Sequence, residues 1–322
     1  MKENVFTNKK IIKLIDVLLI WWGNLAYMFY HIFGWGGVSL TGAWISSFKQ
    51  FSDRAKHKML KVEFQSLLGN RCCPDEIEQI VKKSFGIYYR RQVETFFFGA
   101  VNKQTINSIV EVEGLEYVDT ALEEGKGVIL LLSHFGSFLL PLPFFGFNNY
   151  KINQITGNQI PSTIIADRMW LWRKREASRL PVSYIPADSF LRPIFQALKN
   201  NEIVVIAFDG RDGTKWIEVD FFDKTALFSP GPFDIARRTG AAIIPTFVKR
   251  INNKRHRLIL KPRFELSKAS QKETAIKNDT IRFAKLFEKY VSKYPCHFGK
   301  ILFNYKIQRI LGTANPFYSE IK

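Results

Sequence analysis

A chain of 322 residues, 46% hydrophobic and 24% charged, has enough apolar material for one large α/β domain or two small ones. Its balance is strongly basic, with 47 Lys and Arg against 29 Asp and Glu and a net charge of +18, which suits an anionic membrane surface or nucleic acid. There is no zinc-finger spacing, RNP-type aromatic motif, Walker A loop or Gly-x-Gly-x-x-Gly, and aromatics reach 15%, so a membrane is the expected partner and nucleic acid is not. Cys72, Cys73 and Cys296 make a poor disulfide framework and fit a reducing cytoplasm. The five histidines are scattered, none at metal-ligand spacing, so no metal is expected.

The first element is apolar. Between Asp16 and Lys49 there is no Asp, Glu, Lys or Arg, and the run carries Trp21, Trp22, Tyr27, Phe29, Tyr30, Trp35 and Trp44. It is longer than the roughly 20 residues that span a bilayer, and its aromatics suit an interface. Gly34, Gly36 and Gly37 interrupt it, and Lys9, Lys10 and Lys13 before it match Lys49, Arg54, Lys56 and Lys58 after it. A bent, shallow membrane anchor over residues 1–50 is expected, with a single crossing second and a buried helix of a soluble protein third. The remaining 51–322 form an α/β domain.

A helix is expected from Pro74 to Gly99, with Pro74 in the first position and Asp75 and Glu76 in the first turn. A short helix follows over Glu116–Glu123. Val128–Leu132 is an unbroken apolar run between turn signals, which reads as a strand covered on both faces. Ser133 and His134 stand where it should end, and Gly136 and Ser137 would open a helix through Phe147. His134 either caps that turn or carries chemistry, since ligands of open α/β sheets bind outside the carboxyl ends of strands.

Further strands are expected at Lys151–Thr156, Ile203–Phe208, Ala242–Arg250 and Arg257–Phe264. Helices are expected at Ser162–Arg179, Ser189–Asn200 and Thr274–Lys293, with a short one after Pro295. The basic stretch Arg168, Arg173, Lys174, Arg175 and Arg179 is either a contact for anionic headgroups or a phosphorylated carrier, or a solvated face. The alternation predicts a mixed, mainly parallel sheet covered by helices.

Glu113-Gly114-Leu115-Glu116, Ala121-Leu122, Glu124 to Ile129 and His134-Phe135-Gly136-Ser137-Phe138-Leu139 form an ordered set. It resembles the first block of the bacterial lipid A biosynthesis (lauroyl/myristoyl) acyltransferase family, within the glycerolipid acyltransferase superfamily. Later segments extend the resemblance over roughly residues 110 to 250. They are Asp209-Gly210-Arg211-Asp212-Gly213, Val219 to Asp223, Ser229-Pro230-Gly231-Pro232, Ile235 to Ala241, and Pro245. Locally, Gly240 reads as a helix C-cap and Arg237 and Arg238 as favourable charges at that helix end. The start near Ser229 and Gly231 reads as an anion site weakened by Pro232. Asp209 and Asp212 read as a metal pair or, more commonly, as turn residues.

The resemblance implies acyl transfer from an acyl carrier protein or coenzyme A thioester to a hydroxyl of a glycolipid or phospholipid-type acceptor. It implies no cofactor. It implies a bacterial inner membrane setting, with the catalytic domain on the cytoplasmic face. His134 would be general base and backbone N–H groups would stabilise the oxyanion. Gly136, Ser137, Arg168, Asp212, Ser229 and Gly231 would line the substrates. Two departures stand out. The family's acid five residues after the His is Leu139 here, and no Asp or Glu occurs between Glu124 and Asp167. The Arg usual after the next strand is replaced by Thr156-Gly157-Asn158. An acidic partner for His134 would have to come from a distant segment, Asp209 first and Asp212 second, and a backbone carbonyl is the other group that could orient the ring. Otherwise the chain is a catalytically degenerate, membrane-bound lipid-binding or partner protein.

Overall fold

The computed structural model describes residues 9–157, 171–172, 174–187, 191–210 and 215–310. Seven strands form one sheet, in the order β1-β9-β8-β2-β5-β3-β4. These are β1 (Val110–Glu113), β2 (Val128–Leu132), β3 (Ile152–Thr156), β4 (Ser183–Pro186), β5 (Ile203–Ala207), β8 (Ala242–Arg250) and β9 (His256–Leu260). β2, β3, β4, β5 and β8 are parallel to their sheet neighbours among these five. β9 runs antiparallel to β8 and parallel to β1. The mixed, mainly parallel sheet is as expected. A separate hairpin, β6 (Ile217–Asp220) with β7 (Thr225–Phe228), lies outside it.

Every residue of β2 is buried, because side chains alternate between two apolar layers. Ile129 and Leu131 enter the layer formed with α2 (Arg54–Leu68), α3 (Pro74–Phe96) and the C-terminal helices α9 (Lys272–Lys293) and α10 (Gly299–Ile310). Val128, Leu130 and Leu132 enter the other, with α1 (Lys9–Ser52), α4 (Lys103–Ile109), α5 (Leu115–Glu123) and α6 (Pro141–Phe147). Two short helices, α7 (Arg192–Lys199) and α8 (Gly231–Thr239), complete the cover.

α1 changes direction at Gly34, whose φ of 57° and ψ of −158° are non-helical. Glycine adopts such a backbone at little cost. Tyr30, Trp35 and Val38 sit in the core, whereas Val17, Trp21, Leu25, Met28 and Ile32 are exposed at spacings of three and four, as are Leu40, Trp44, Phe48 and Phe51. No helix among the described residues is long and apolar enough to cross a membrane.

Several boundaries differ from expectation for identifiable reasons. The helix expected from Gly136 begins only at Pro141. Gly136 takes a φ of +59° and gives its N–H to the His297 carbonyl, 2.9 Å away. A Cβ there would collide with the Val248 carbonyl. β9 stops at Leu260, two residues before Pro262, which has no N–H for a ladder. The C-terminal helix arrives as a 3-10 turn at Pro295–His297 followed by α10. Of the helix expected over Ser162–Arg179, residues 162–170 and 173 lie outside the described part, and 171–172 and 174–177 are helical. Gly240 caps α8 as expected, with φ +77° and its N–H on the Ala236 carbonyl.

Candidate active site

β2 and β5 are parallel neighbours, with Leu132 opposite Ala207. Continuing both chains by two residues brings His134 level with Asp209. The two side chains meet there: His134 Nδ1 lies 2.8 Å from Asp209 Oδ1. The same carboxylate accepts from the His134 backbone N–H, at 3.1 Å on Oδ1 and 2.9 Å on Oδ2. Asp209 is fully buried and the His134 side chain is a quarter exposed. An ionised Asp209 places the imidazole proton on Nδ1 and the lone pair on Nε2.

Burial lowers the His134 pKa, and the positive charge of Lys300 adds to this; Asp209 opposes them, and Arg91 lowers it further. The neutral imidazole is therefore favoured down to lower pH than in a free histidine. Arg91 comes from α3 and Lys300 from the first turn of α10, and neither was singled out from the sequence. The Phe138 ring connects them to the imidazole. Its centroid is 4.6 Å from that of His134, 5.0 Å from the Arg91 guanidinium carbon and 4.3 Å from Lys300 Nζ. Nothing local marks these two cations, which lie 43 residues before and 166 residues after the histidine, as the residue numbers give.

Leu139 is half-buried and packs on the apolar layer to which α1 contributes, so the position where the family carries an acid faces the core. Ser133 and Ser137 flank His134, each 2% exposed, and neither hydroxyl has a hydrogen-bond partner among the described residues. The N–H groups of His134, Phe135 and Gly136 are all taken, by Asp209, the Ser133 carbonyl and the His297 carbonyl. Those of Ser137 and Phe138 have no acceptor among the described residues.

The remaining expected positions separate into two groups. Ser229 lies close by, with its N–H 3.4 Å from the Phe208 carbonyl, and its hydroxyl accepts from the Gly231 N–H at 3.4 Å. Arg168 and Asp212 lie outside the described residues. Arg237 is bound to Asp279 at 2.5 Å and to the Ser267 carbonyl, and so ties α8 to α9. Among the described residues no group of His, Cys, Asp and Glu is placed to hold a metal ion.

A quarter-exposed imidazole held through Nδ1 by a buried carboxylate, at the strand ends of an α/β sheet, has the geometry that proton transfer requires. The chain belongs to the bacterial lipid A biosynthesis acyltransferase family, whose model matches residues 8–306. It is similar to the phosphatidylinositol mannoside acyltransferase of Mycobacterium tuberculosis (strain H37Rv), 25% identical over 217 residues, or 65% of this chain and 66% of the relative. It is also similar to the protein of the same name from Mycolicibacterium smegmatis, 26% identical over 182 residues, or 53% of this chain and 56% of the relative. The matched stretch thus spans just under two thirds of the Mycobacterium tuberculosis relative and less of the Mycolicibacterium one.

Proposed function

We propose that the protein transfers a fatty acyl group from an acyl carrier protein or coenzyme A thioester to a hydroxyl of a glycolipid or phospholipid-type acceptor. The observation that carries this reading is the contact of His134 Nδ1 with Asp209, 2.8 Å long. Nε2 of His134 takes the acceptor hydroxyl proton as that oxygen attacks the thioester carbonyl. The proton then passes to the departing thiolate. Asp209 holds the ring in the tautomer that leaves Nε2 basic and stabilises the imidazolium that forms. The N–H groups of Ser137 and Phe138 are the donors left beside the histidine for the oxyanion. The Ser137 hydroxyl, buried and without a partner among the described residues, serves as a substrate contact. Family membership and the name of the mycobacterial relatives support a glycolipid-type acceptor.

The exposed apolar rows of α1, on either side of Gly34, seat the protein on a membrane without crossing it, and the net charge of +18 favours an anionic leaflet. This fits an inner-membrane enzyme with residues 51–322 on the cytoplasmic side and 1–50 as the anchor.

The test is transfer of radiolabel from acyl carrier protein and coenzyme A thioesters into total bacterial lipid extract, wild type beside His134→Ala. A labelled lipid that needs His134 is the expected result. No label above the variant, from folded protein, would leave a lipid-binding member without turnover.

A further inference from the structure

A cleft of about 360 Å³ lies between the last two turns of α9 and the strands β8, β9 and β1. That volume falls within the range of about 300–1,000 Å³ typical of small-molecule sites. Its walls carry five cations, Lys249, Arg257, Lys261, Lys289 and Lys293, and one carboxylate, Glu113. Their partners within the protein leave the charge unbalanced. Arg257 is held by Glu111 at 2.9 Å, a carboxylate that Arg255 shares. Lys261 reaches Glu113 at 3.4 Å. Lys249 donates instead to the Tyr294 hydroxyl at 3.1 Å, and Lys293 Nζ stands 5.5 Å from the centroid of the same ring. A neutral phenol accepts from an ammonium without cancelling its charge. With Glu111 and Glu113 both counted, the cations still lead by three. The positive field shows on Tyr294. The hydrogen bond from Lys249, with the charges of Lys249 and Lys293, holds its phenol below the ordinary value against burial.

Among these charges the lining is apolar. Ile259 is buried, and the Tyr290 ring lies flat on Phe247, with centroids 3.6 Å apart and planes 7° from parallel. The cleft is separate from the reaction centre. Tyr290 reaches Phe135, the neighbour of His134, only through Phe247, and Tyr294 only through His297. A concavity of this size suits a small molecule better than the convex face of a partner protein. A matching ligand combines anionic oxygens for the ammonium groups with a flat, uncharged part for the tyrosine side. Inorganic phosphate lacks the second, and a sugar or acyl chain lacks the first.

We propose that this cleft binds a nucleoside phosphate carrying at least two negative charges. Its phosphates rest on Lys249, Lys289 and Lys293, and its base lies beside Tyr290 and Ile259. The ligand is distinct from the acyl donor and the acceptor, and the inference does not depend on His134 being the base.

The experiment is calorimetric titration of detergent-solubilised full-length protein with adenosine diphosphate, adenosine and pyrophosphate. The diphosphate nucleotide should bind at least about tenfold tighter than either of its parts. Lys289 and Lys293 are exposed, so replacing them leaves the core intact. The double variant Lys289→Gln, Lys293→Gln should weaken the nucleotide about tenfold. Lys277→Gln makes the same kind of change on α9 away from the cleft, and should leave binding within about twofold of wild type. Adenosine or pyrophosphate binding as tightly as the nucleotide overturns the proposal. So does a loss in Lys277→Gln equal to that in the double variant, which would mean attraction to the net charge of +18 alone. His134→Ala should bind the nucleotide as wild type does. Loss of binding there would place the nucleotide at the reaction centre and overturn the proposal.

Discussion

Among the described residues, two imidazoles each stand beside a buried carboxylate and are built from the same parts. At the strand ends, His134 touches Asp209 at 2.8 Å and a quarter of its side chain meets solvent. Deeper in, His256 opens β9 opposite Arg250, with no exposure, and its Nε2 stands 3.7 Å from Glu94, too far for a hydrogen bond. Burial pushes the Glu94 carboxyl up, but Arg250 and His256 together outweigh it and hold the group below its ordinary value. His256 is lowered by burial and by Arg250, against the pull of Glu94. In one pair the carboxylate serves the imidazole. In the other it serves a guanidinium, and the histidine fills space as a neutral ring. A competing arginine and access to solvent decide which pair can carry chemistry.

The largest difference should appear on removing each acid. Asp209→Asn keeps shape but presents the wrong partner to Nδ1. Transfer should fall by about 10³- to 10⁴-fold, the scale known for the orienting acid of serine proteases, with little change in melting temperature. A rate within threefold of wild type would remove Asp209 from the mechanism. Glu94→Ala leaves Arg250 buried and unpaired, and should lower stability by about 3–5 kcal/mol. Denaturant midpoints measure this, and the folded fraction should retain its turnover per molecule.

Acid sharpens the contrast further. Burial and nearby Arg250 push the buried His297 pKa down to about 3. A depressed folded value means that the unfolded chain binds more protons. Stability supplied by the neutral ring is thus complete above the ordinary value of about 6.5 and is lost as pH falls from there toward 3. From this group alone the loss should be at most about 1.4 kcal/mol per pH unit, readable from urea midpoints at pH 7, 5 and 4. The smallest effect concerns turnover. With His134 lowered, the acid limb of kcat/KM for the free enzyme should lie below about pH 6.5, and Lys300→Gln should move it upward. A limb above 6.5 would contradict burial as the dominant influence on that ring.

β2 ends where its apolar run ends, and β8 runs two residues past its own, through Lys249 and Arg250; both ranges were legible in the sequence. β6 and β7 were not. Each has four residues, and Glu218, Asp220 and the turn at Asp223 hide the alternation in a charged segment. α2 escaped notice because charged residues interrupt its apolar face: Lys56 and Glu63 are buried beside Leu60, Phe64, Leu67 and Leu68. Asp209 was reachable because strand ends converge in a parallel sheet, a rule that needs no neighbouring residue. Arg91 and Lys300 were not, because their place depends on how α3 and α10 cross the bend. That geometry is set by tertiary contacts between α2, α3 and α10, not by any local pattern. Leu139 read as a missing acid; in the fold it is one more apolar side chain of the α1 layer.

The bend that carries His134 is completed from the far end of the chain. The carbonyl of His297 receives the Gly136 N–H, and its ring stacks on Phe135 at 5.2 Å and accepts the Arg250 N–H at 2.9 Å. One residue thus latches the histidine loop to β8. During synthesis β2 and β5 leave the ribosome nearly a hundred residues before that latch, as the numbering gives. A nascent chain can therefore hold the paired strands while the loop between His134 and Ser137 still lacks its fastening. Its competence is acquired late, when the segment bearing His297 emerges and folds back.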